Sequence, residues 1–226
     1  MIIGYRNLLD KAQLSTTTVD TSFPLVNVLH PWARVEYHAQ DGVLVATITA
    51  EFDTMYLFES FFVLNTNATD IECVLYDAQD SEVARFGNRW FGSVSAKKAV
   101  IELEADTSLY VGIIHLGKGL YNQKTMGQAL PLRSTDTPTF SLDGQVGGRS
   151  GSVLRDGTGI TIPDLSPTQR RELEMVYYEQ GMTKPFVLDL WTGDEFDPLW
   201  CVFRGNLDVQ QDYRGDTVTF SVTEVN

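Results

Sequence analysis

Leu165-Ser166-Pro167-Thr168-Gln169-Arg170-Arg171-Glu172-Leu173-Glu174-Met175-Val176-Tyr177-Tyr178-Glu179-Gln180-Gly181 is the stretch on which the reading of the fold turns. Ser166 can cap the unbonded N–H groups of a first helical turn, Pro167 suits the first helical position, and Gln169 completes a capping box. Leu173, Val176 and Tyr177 fall at i, i+3 and i+4 and form one apolar stripe. Arg170, Arg171, Glu172, Glu174 and Glu179 stay mostly off it. Gly181 can take the left-handed conformation that ends a helix. The spacing predicts a helix over 167–180.

Working outward, the apolar run Lys184-Pro185-Phe186-Val187-Leu188-Asp189-Leu190-Trp191 follows the helix at once. Near the end, Val218, Phe220 and Val222 alternate with Thr217, Thr219, Ser221 and Thr223, the period of a half-buried strand. One helix lying across a sheet is expected here. Toward the N-terminus, runs at 43–49, 56–64, 71–76, 99–103 and 109–116 are rich in β-branched and aromatic residues and are punctuated by turn residues. Short strands at this spacing predict an antiparallel sandwich. Residues 122–163 are polar, Gly-rich and without period, and read as a long connection holding one or two strands, at 139–142 and 152–155. The predicted fold is therefore mainly β, with two β-sandwich-type domains. A jelly-roll-like domain spans 1–128, and a β-rich module spans 129–226, its one capped helix packed on a meander.

The chain has 226 residues, 43% of them hydrophobic and 11% aromatic, which is enough to bury a real core. Its formal net charge is −13. Residues 1–128 hold 9 basic and 15 acidic side chains and residues 129–226 hold 8 and 15, so the halves carry −6 and −7. This balance, with no Lys/Arg run, argues against a nucleic-acid partner. No run approaches the ~18–20 apolar residues that cross a bilayer. The start lacks the basic and long apolar regions of a signal peptide, so synthesis in the cytoplasm without Sec-type export is expected. Cys73 and Cys201, one in each half, read as buried thiols, not as a disulfide framework or zinc site.

The usual catalytic signatures are missing from the sequence. His30, His38 and His115 have no metal-binding spacing. There is no Gly-x-Ser-x-Gly, phosphate loop or dinucleotide fingerprint. Gly147-Gly148-Arg149-Ser150-Gly151 and Gly157-Thr158-Gly159 read as flexible loops, since neither follows a strand and opens a helix. Asp194, Glu195 and Asp197 are the best candidates for a cation or a catalytic carboxylate, but a solvated turn is the plainer reading. Arg214-Gly215-Asp216 reads as a turn. No catalytic, cofactor or metal residue is assigned. Trp32, Trp90, Phe91, Trp191 and Trp200 are the candidate contact residues, whether in a protein interface or on a glycan-stacking surface.

The order of motifs carries a resemblance. Tyr5-Arg6-Asn7-Leu8-Leu9-Asp10, Leu14-Ser15-Thr16-Thr17-Thr18 and Phe23-Pro24-Leu25-Val26-Asn27-Val28-Leu29-His30-Pro31 resemble the opening of many bacteriophage tail-tip proteins. There such a pattern leads into a jelly-roll of the discoidin or galactose-binding type. Gly117-Lys118-Gly119-Leu120-Tyr121 is similar to its glycine-bearing exit. Arg149-Ser150-Gly151-Ser152-Val153-Leu154-Arg155-Asp156 and the run 184–191 are similar to minor-tail and distal-tail modules. The resemblance implies a structural subunit of a siphophage tail tip or baseplate, located in the virion. It would form a three- or six-fold homo-oligomeric ring and dock to tube, hub or fibre proteins. The alternative is a carbohydrate- or receptor-binding jelly-roll of the tail, with a host glycan as partner.

Overall fold

The computed structural model describes residues 1–121, 132–134, 137–140, 146–149, 153–190, 197–211 and 215–225. In chain order the first strands are β1 (Ile2–Asn7), β2 (Ala12–Thr16), β3 (Tyr37–His38), β4 (Val45–Thr66), β5 (Ala68–Tyr76), β6 (Glu82–Phe86), β7 (Arg89–Ala105) and β8 (Tyr110–Tyr121). Then come β9 (Leu132–Ser134), β10 (Thr137–Phe140), β11 (Val146–Arg149), β12 (Val153–Leu165), helix α1 (Pro167–Gln180), β13 (Phe186–Asp189), β14 (Leu199–Gln210) and β15 (Asp216–Glu224). Two compact units result: Met1–Tyr121 with Phe186–Pro198, and Asn122–Pro185 with Leu199–Asn226. The fold is mainly β, and among the described residues no helix is long and apolar enough to cross a membrane.

In the first unit, the stretches expected as separate strands at 43–49 and 56–64 belong to one strand, β4. No Gly or Pro interrupts it, so the chain bends instead of stopping. Its register against β7 slips between Glu51 and Tyr56 and again between Phe58 and Ser60. Such irregularities turn a strand sharply while the ladder continues. β4 and β7 thereby serve two layers. Their paired segments 45–51 and 98–104 are flanked by β2 on one side and by β5 and β6 on the other. Their segments 56–62 and 89–96 continue into β8, then β1, then β13, with β3 on the far end of β8.

Every second residue of the first layer faces inward, as strand geometry requires. Ala46, Ile48, Ala50 and Phe52 of β4 meet Ile101 and Leu103 of β7 and Cys73 and Leu75 of β5 in one buried cluster. Phe61, Val63, Ile114 and Leu116 close it from the second layer. Gly117 marks a close crossing, because a Cβ there would lie 2.3 Å from the Arg6 carbonyl oxygen. The glycine-bearing segment 117–121 is thus the half of β8 that pairs with β1.

The second unit is an antiparallel sheet in which β15 pairs with β14 and β12, and β12 pairs with β9. The capping box of α1 is present: the Gln169 N–H donates to Ser166 Oγ at 3.3 Å, and the Ser166 N–H donates to Gln169 Oε1 at 3.0 Å. The helix ends at Gly181, whose φ is 56°. Leu173 and Val176 are buried, and the Tyr177 ring stands edge-on to Phe203 at 5.1 Å. The Tyr177 hydroxyl donates to the Gly205 carbonyl at 2.9 Å, and Arg170 Nη1 meets Asp216 Oδ2 at 3.1 Å. The described residues of the glycine runs expected as loops lie in strands. Gly147 and Gly148 lie in the β10–β11 ladder, and Gly157 and Gly159 lie in β12 where its register slips before Ile160. Glycine suits that slip, since Gly159 has a φ of 63°.

Candidate functional site

The connection between β2 and β3 carries the exposed rings of Phe23 and Trp32 beside ordered polar groups. Its backbone is tied down at several points. The 3-10 helix Leu25–Leu29 is held by Asn27 Nδ2, which donates to the Glu36 carbonyl at 2.8 Å. The Ser22 N–H donates to Asp20 Oδ1 at 2.8 Å, and the Phe23 N–H to the Asp20 carbonyl at 3.0 Å. Buried Val28 and Ala33 anchor the loop, and the fully buried Tyr37 donates from its hydroxyl to the Thr18 carbonyl at 2.6 Å. A long loop pinned in this way offers preset geometry, which lowers the entropic cost of binding.

On this frame sits a polar network. Glu36 Oε2 lies 3.1 Å from His38 Nε2, and Asn65 Nδ2 donates to Glu36 Oε1 at 2.9 Å and to the Ala33 carbonyl at 2.7 Å. Asn65 sits in the left-handed region (φ 51°), which asparagine tolerates better than most residues. Gly112 leaves room for this contact, since a Cβ there would lie 2.4 Å from the Ala33 oxygen. Phe23 stacks on the His38 ring with centroids 4.0 Å apart and planes at 18°. Trp32 is 55% exposed, and its backbone N–H donates to His30 Nδ1 at 3.2 Å. Half-exposed planar rings beside fixed hydrogen-bonding groups can hold an amphipathic ligand: stacking takes its apolar face and the network its polar edge.

Of the aromatic contact candidates among the described residues, only Trp32 belongs to this surface. Trp90 stacks on Phe86 (4.3 Å, 7°) and packs against the core. It lies opposite Phe61, four residues from Asn65 along β4, or about 13 Å away at the usual strand rise. Its neighbour Phe91 points to the other face of the strand and stacks on Tyr121 at 5.0 Å. Trp200 is half-buried in β14 of the second unit. Trp191, Asp194 and Glu195 lie outside the described residues, and Asp197 meets Arg89 at 3.6 Å. Arg214 also lies outside them, whereas Asp216 is buried against Arg170. Sequence reading gave no contact role to Phe23, Glu36, His38 and Asn65, which meet only through the fold.

A second constellation is interior. Ser60 Oγ lies 3.0 Å from His115 Nε2 and 2.9 Å from the Lys118 carbonyl oxygen, and both side chains are buried. The hydroxyl has one proton, and it goes to the carbonyl; the imidazole N–H then donates to the hydroxyl. His115 is therefore a donor to Ser60, not its base, and burial lowers its pKa to about 4. Gly4 and Gly119 make the space: a Cβ on either would lie 2.9 Å from His115 Nε2 or Ser60 Cβ. Glycine within strands was the available sequence signal for such close packing.

On the open face of β5–β7, a groove of about 410 Å³ is lined by Asp70, Glu72, Glu102 and Glu104. Asp70 faces Glu104, and Glu72 faces Glu102, in like-charged cross-strand pairs. Arg85 bridges Glu72 and Glu82 and offsets part of that repulsion. Among the described residues, no group of three or more His, Cys, Asp or Glu side chains is placed to hold a metal ion. Cys73 and Cys201 are buried, which pushes both thiols well above the ordinary range.

No protein-family model matches the chain, and no curated protein matches it. Solved structures align with about half of the chain. A Ruminococcus gnavus GH29 fucosidase in complex with fucose is 10% identical over 50% of this chain, with a TM-score of 0.44. This chain spans only 26% of that enzyme's length. A Streptococcus pneumoniae fucose-binding module is 13% identical over 53% of this chain and 100% of its own, with a TM-score of 0.41. The lectin domain of lectinolysin, complexed with Lewis b antigen, is 10% identical over 51% of this chain and 98% of its own, also at 0.41.

Proposed function

We propose that the protein is a non-catalytic carbohydrate-contacting module whose binding surface is the pinned connection between β2 and β3. The observation that carries this reading is the Phe23–His38 stack beside the Glu36–His38–Asn65 network, with exposed Trp32 on the same connection. A pyranose presents an apolar ring face and a rim of hydroxyls, and this surface supplies a complement to each. The surface is small and open, so a dissociation constant of ~1 mM per site is expected. Screening the intact chain on a glycan array, followed by calorimetry on the hits, tests the reading. Trp32→Ala should remove binding while leaving the melting temperature in place. Absence of any glycan ligand, or binding indifferent to Trp32→Ala and Asn65→Ala, would overturn it.

A second reading, a structural subunit of a phage tail tip in the virion, is supported by the order of sequence motifs and by the capped helix on its meander. It would assemble with tube, hub or fibre proteins in a three- or six-fold ring. The two readings are compatible, because a tail component that touches host glycan needs both properties. Peptide mass spectrometry of purified virions, calibrated on the major tube protein, tests the second reading. Absence of this chain while other tip proteins are detected would sink it.

A further inference from the structure

We infer that the Glu36–His38–Asn65 network selects neutral, hydroxyl-bearing glycans and turns away anionic ones, because its side-chain N–H groups are spent within the fold and only acceptors are left for a ligand. This inference rests on the glycan reading above and narrows it to a ligand class. The partners fix the hydrogen count. The Glu36 carboxylate and the Ala33 carbonyl can only accept, so Asn65 has to turn its amide nitrogen to both. It donates to the Ala33 carbonyl at 2.7 Å and to Glu36 Oε1 at 2.9 Å, which engages both amide hydrogens. Neutral His38 has to carry its proton on Nε2, because that nitrogen faces Glu36 Oε2 at 3.1 Å. Its Nδ1 is then a lone pair. Among the described residues, no group donates to His38 Nδ1 or to the Asn65 amide oxygen.

The network therefore offers a carboxylate, an imidazole nitrogen and an amide oxygen, all of them acceptors. Asn65 is exposed, and the side chains of His38 and Glu36 are part-exposed. A pyranose hydroxyl can donate to any of the three. A ligand carboxylate or sulfate cannot: its oxygens would face lone pairs and the like charge of Glu36. The exposed Phe23 ring stacks on His38, so the apolar contact and the acceptor edge share one imidazole. Between β2 and β3 the charged side chains are Asp20, Arg34 and Glu36. Asp20 is a further carboxylate, held by the Ser22 N–H, and Arg34 forms no hydrogen bond with the network. The net charge of −13 acts in the same direction at longer range.

One substitution reverses this polarity at nearly constant size. In Glu36→Gln the new amide can accept from Asn65 through its oxygen and donate through its nitrogen to His38 Nε2. The imidazole proton then moves to Nδ1, which becomes a donor, and the negative charge is gone. The variant should accept the anionic ligands that the wild type refuses.

A glycan array tests this, with neutral oligosaccharides printed beside their sulfated and uronic-acid counterparts. The intact chain is displayed multivalently at about pH 8, where an ordinary imidazole is neutral. The wild type should bind neutral members and bind their acidic counterparts about tenfold more weakly or worse. Glu36→Gln should bring that ratio to about threefold or less, and circular dichroism checks that the variant is folded. Acidic counterparts bound as well as the neutral ones would overturn the inference while leaving the glycan reading standing. So would a folded Glu36→Gln chain that keeps the full discrimination. Binding to no glycan at all would overturn both. The wild-type ratio decides the matter where the variant fails to fold.

Discussion

His115 hydrogen-bonds the Ser60 hydroxyl in the interior of the first unit, whereas His38 meets Glu36 at its half-exposed rim. Each imidazole has a polar partner within about the same distance, yet the two sites do different work. In the interior, water cannot compete, so the Ser60–His115–Lys118 cluster must be internally complete, and its loss leaves buried polar groups unsatisfied. At the rim, water substitutes for any lost partner, so the Glu36–His38–Asn65 network costs little to hold and stays available to a ligand. Burial, not residue type, separates the interior histidine from the one at the rim.

Three changes probe this difference. The largest effect is expected from pH. Burial lowers the His115 pKa from 6.5 to about 4 in the folded state. The unfolded chain therefore binds a proton that the folded one refuses across that window. The contribution of neutral His115 is complete above pH 6.5 and is lost as pH falls through 4, about 3 kcal/mol in all. Urea unfolding of His115→Gln and wild type between pH 7 and 4 checks this. The variant should lack that share of the acid loss, and an unchanged pH slope would refute the assignment.

Next, His115→Ala should cost about 3 kcal/mol at neutral pH, from the cavity and from stranding the Ser60 hydroxyl between fewer partners. His38→Ala should stay within about 0.5 kcal/mol, as surface changes do. Comparable losses at both positions in chemical denaturation would erase the contrast.

Asn65→Ala should fall between those two substitutions, at about 1.5 kcal/mol from its left-handed backbone and its two hydrogen bonds. Its sharper readout is binding. Without Asn65 holding the Ala33 carbonyl and Glu36, the loop should bind glycan several-fold more weakly, even where the β-sandwich is intact.

The two units differ in how far local sequence exposed them. The capped helix of the second unit was readable because Ser166, Pro167, Gln169 and Gly181 act within one or two turns of themselves. The alternation of Val218, Phe220 and Val222 was readable because strand geometry imposes a period of two whatever the partner. The loop surface was not readable: Asn65 reaches Ala33 and Glu36 across 32 and 29 residues, and Phe23 meets His38 only after β3 pairs with β8. Of the four aromatic candidates among the described residues, Trp32 alone joins that surface. An isolated tryptophan in sequence does not reveal whether it packs on Phe86, as Trp90 does, or faces solvent.

By itself, then, the sequence determined the helix and its ends, the mainly β character and the absence of a recognisable catalytic signature. These follow from interactions among residues near in the chain or from periodicity alone. Tertiary structure alone decided that β4 runs unbroken through two layers, that Phe186–Asp189 pairs with β1, and that Ser60 meets His115. It also decided which rings face outward. Those outcomes depend on register between strands distant in sequence, and the free energy that selects a register belongs to the assembled core, not to any local segment.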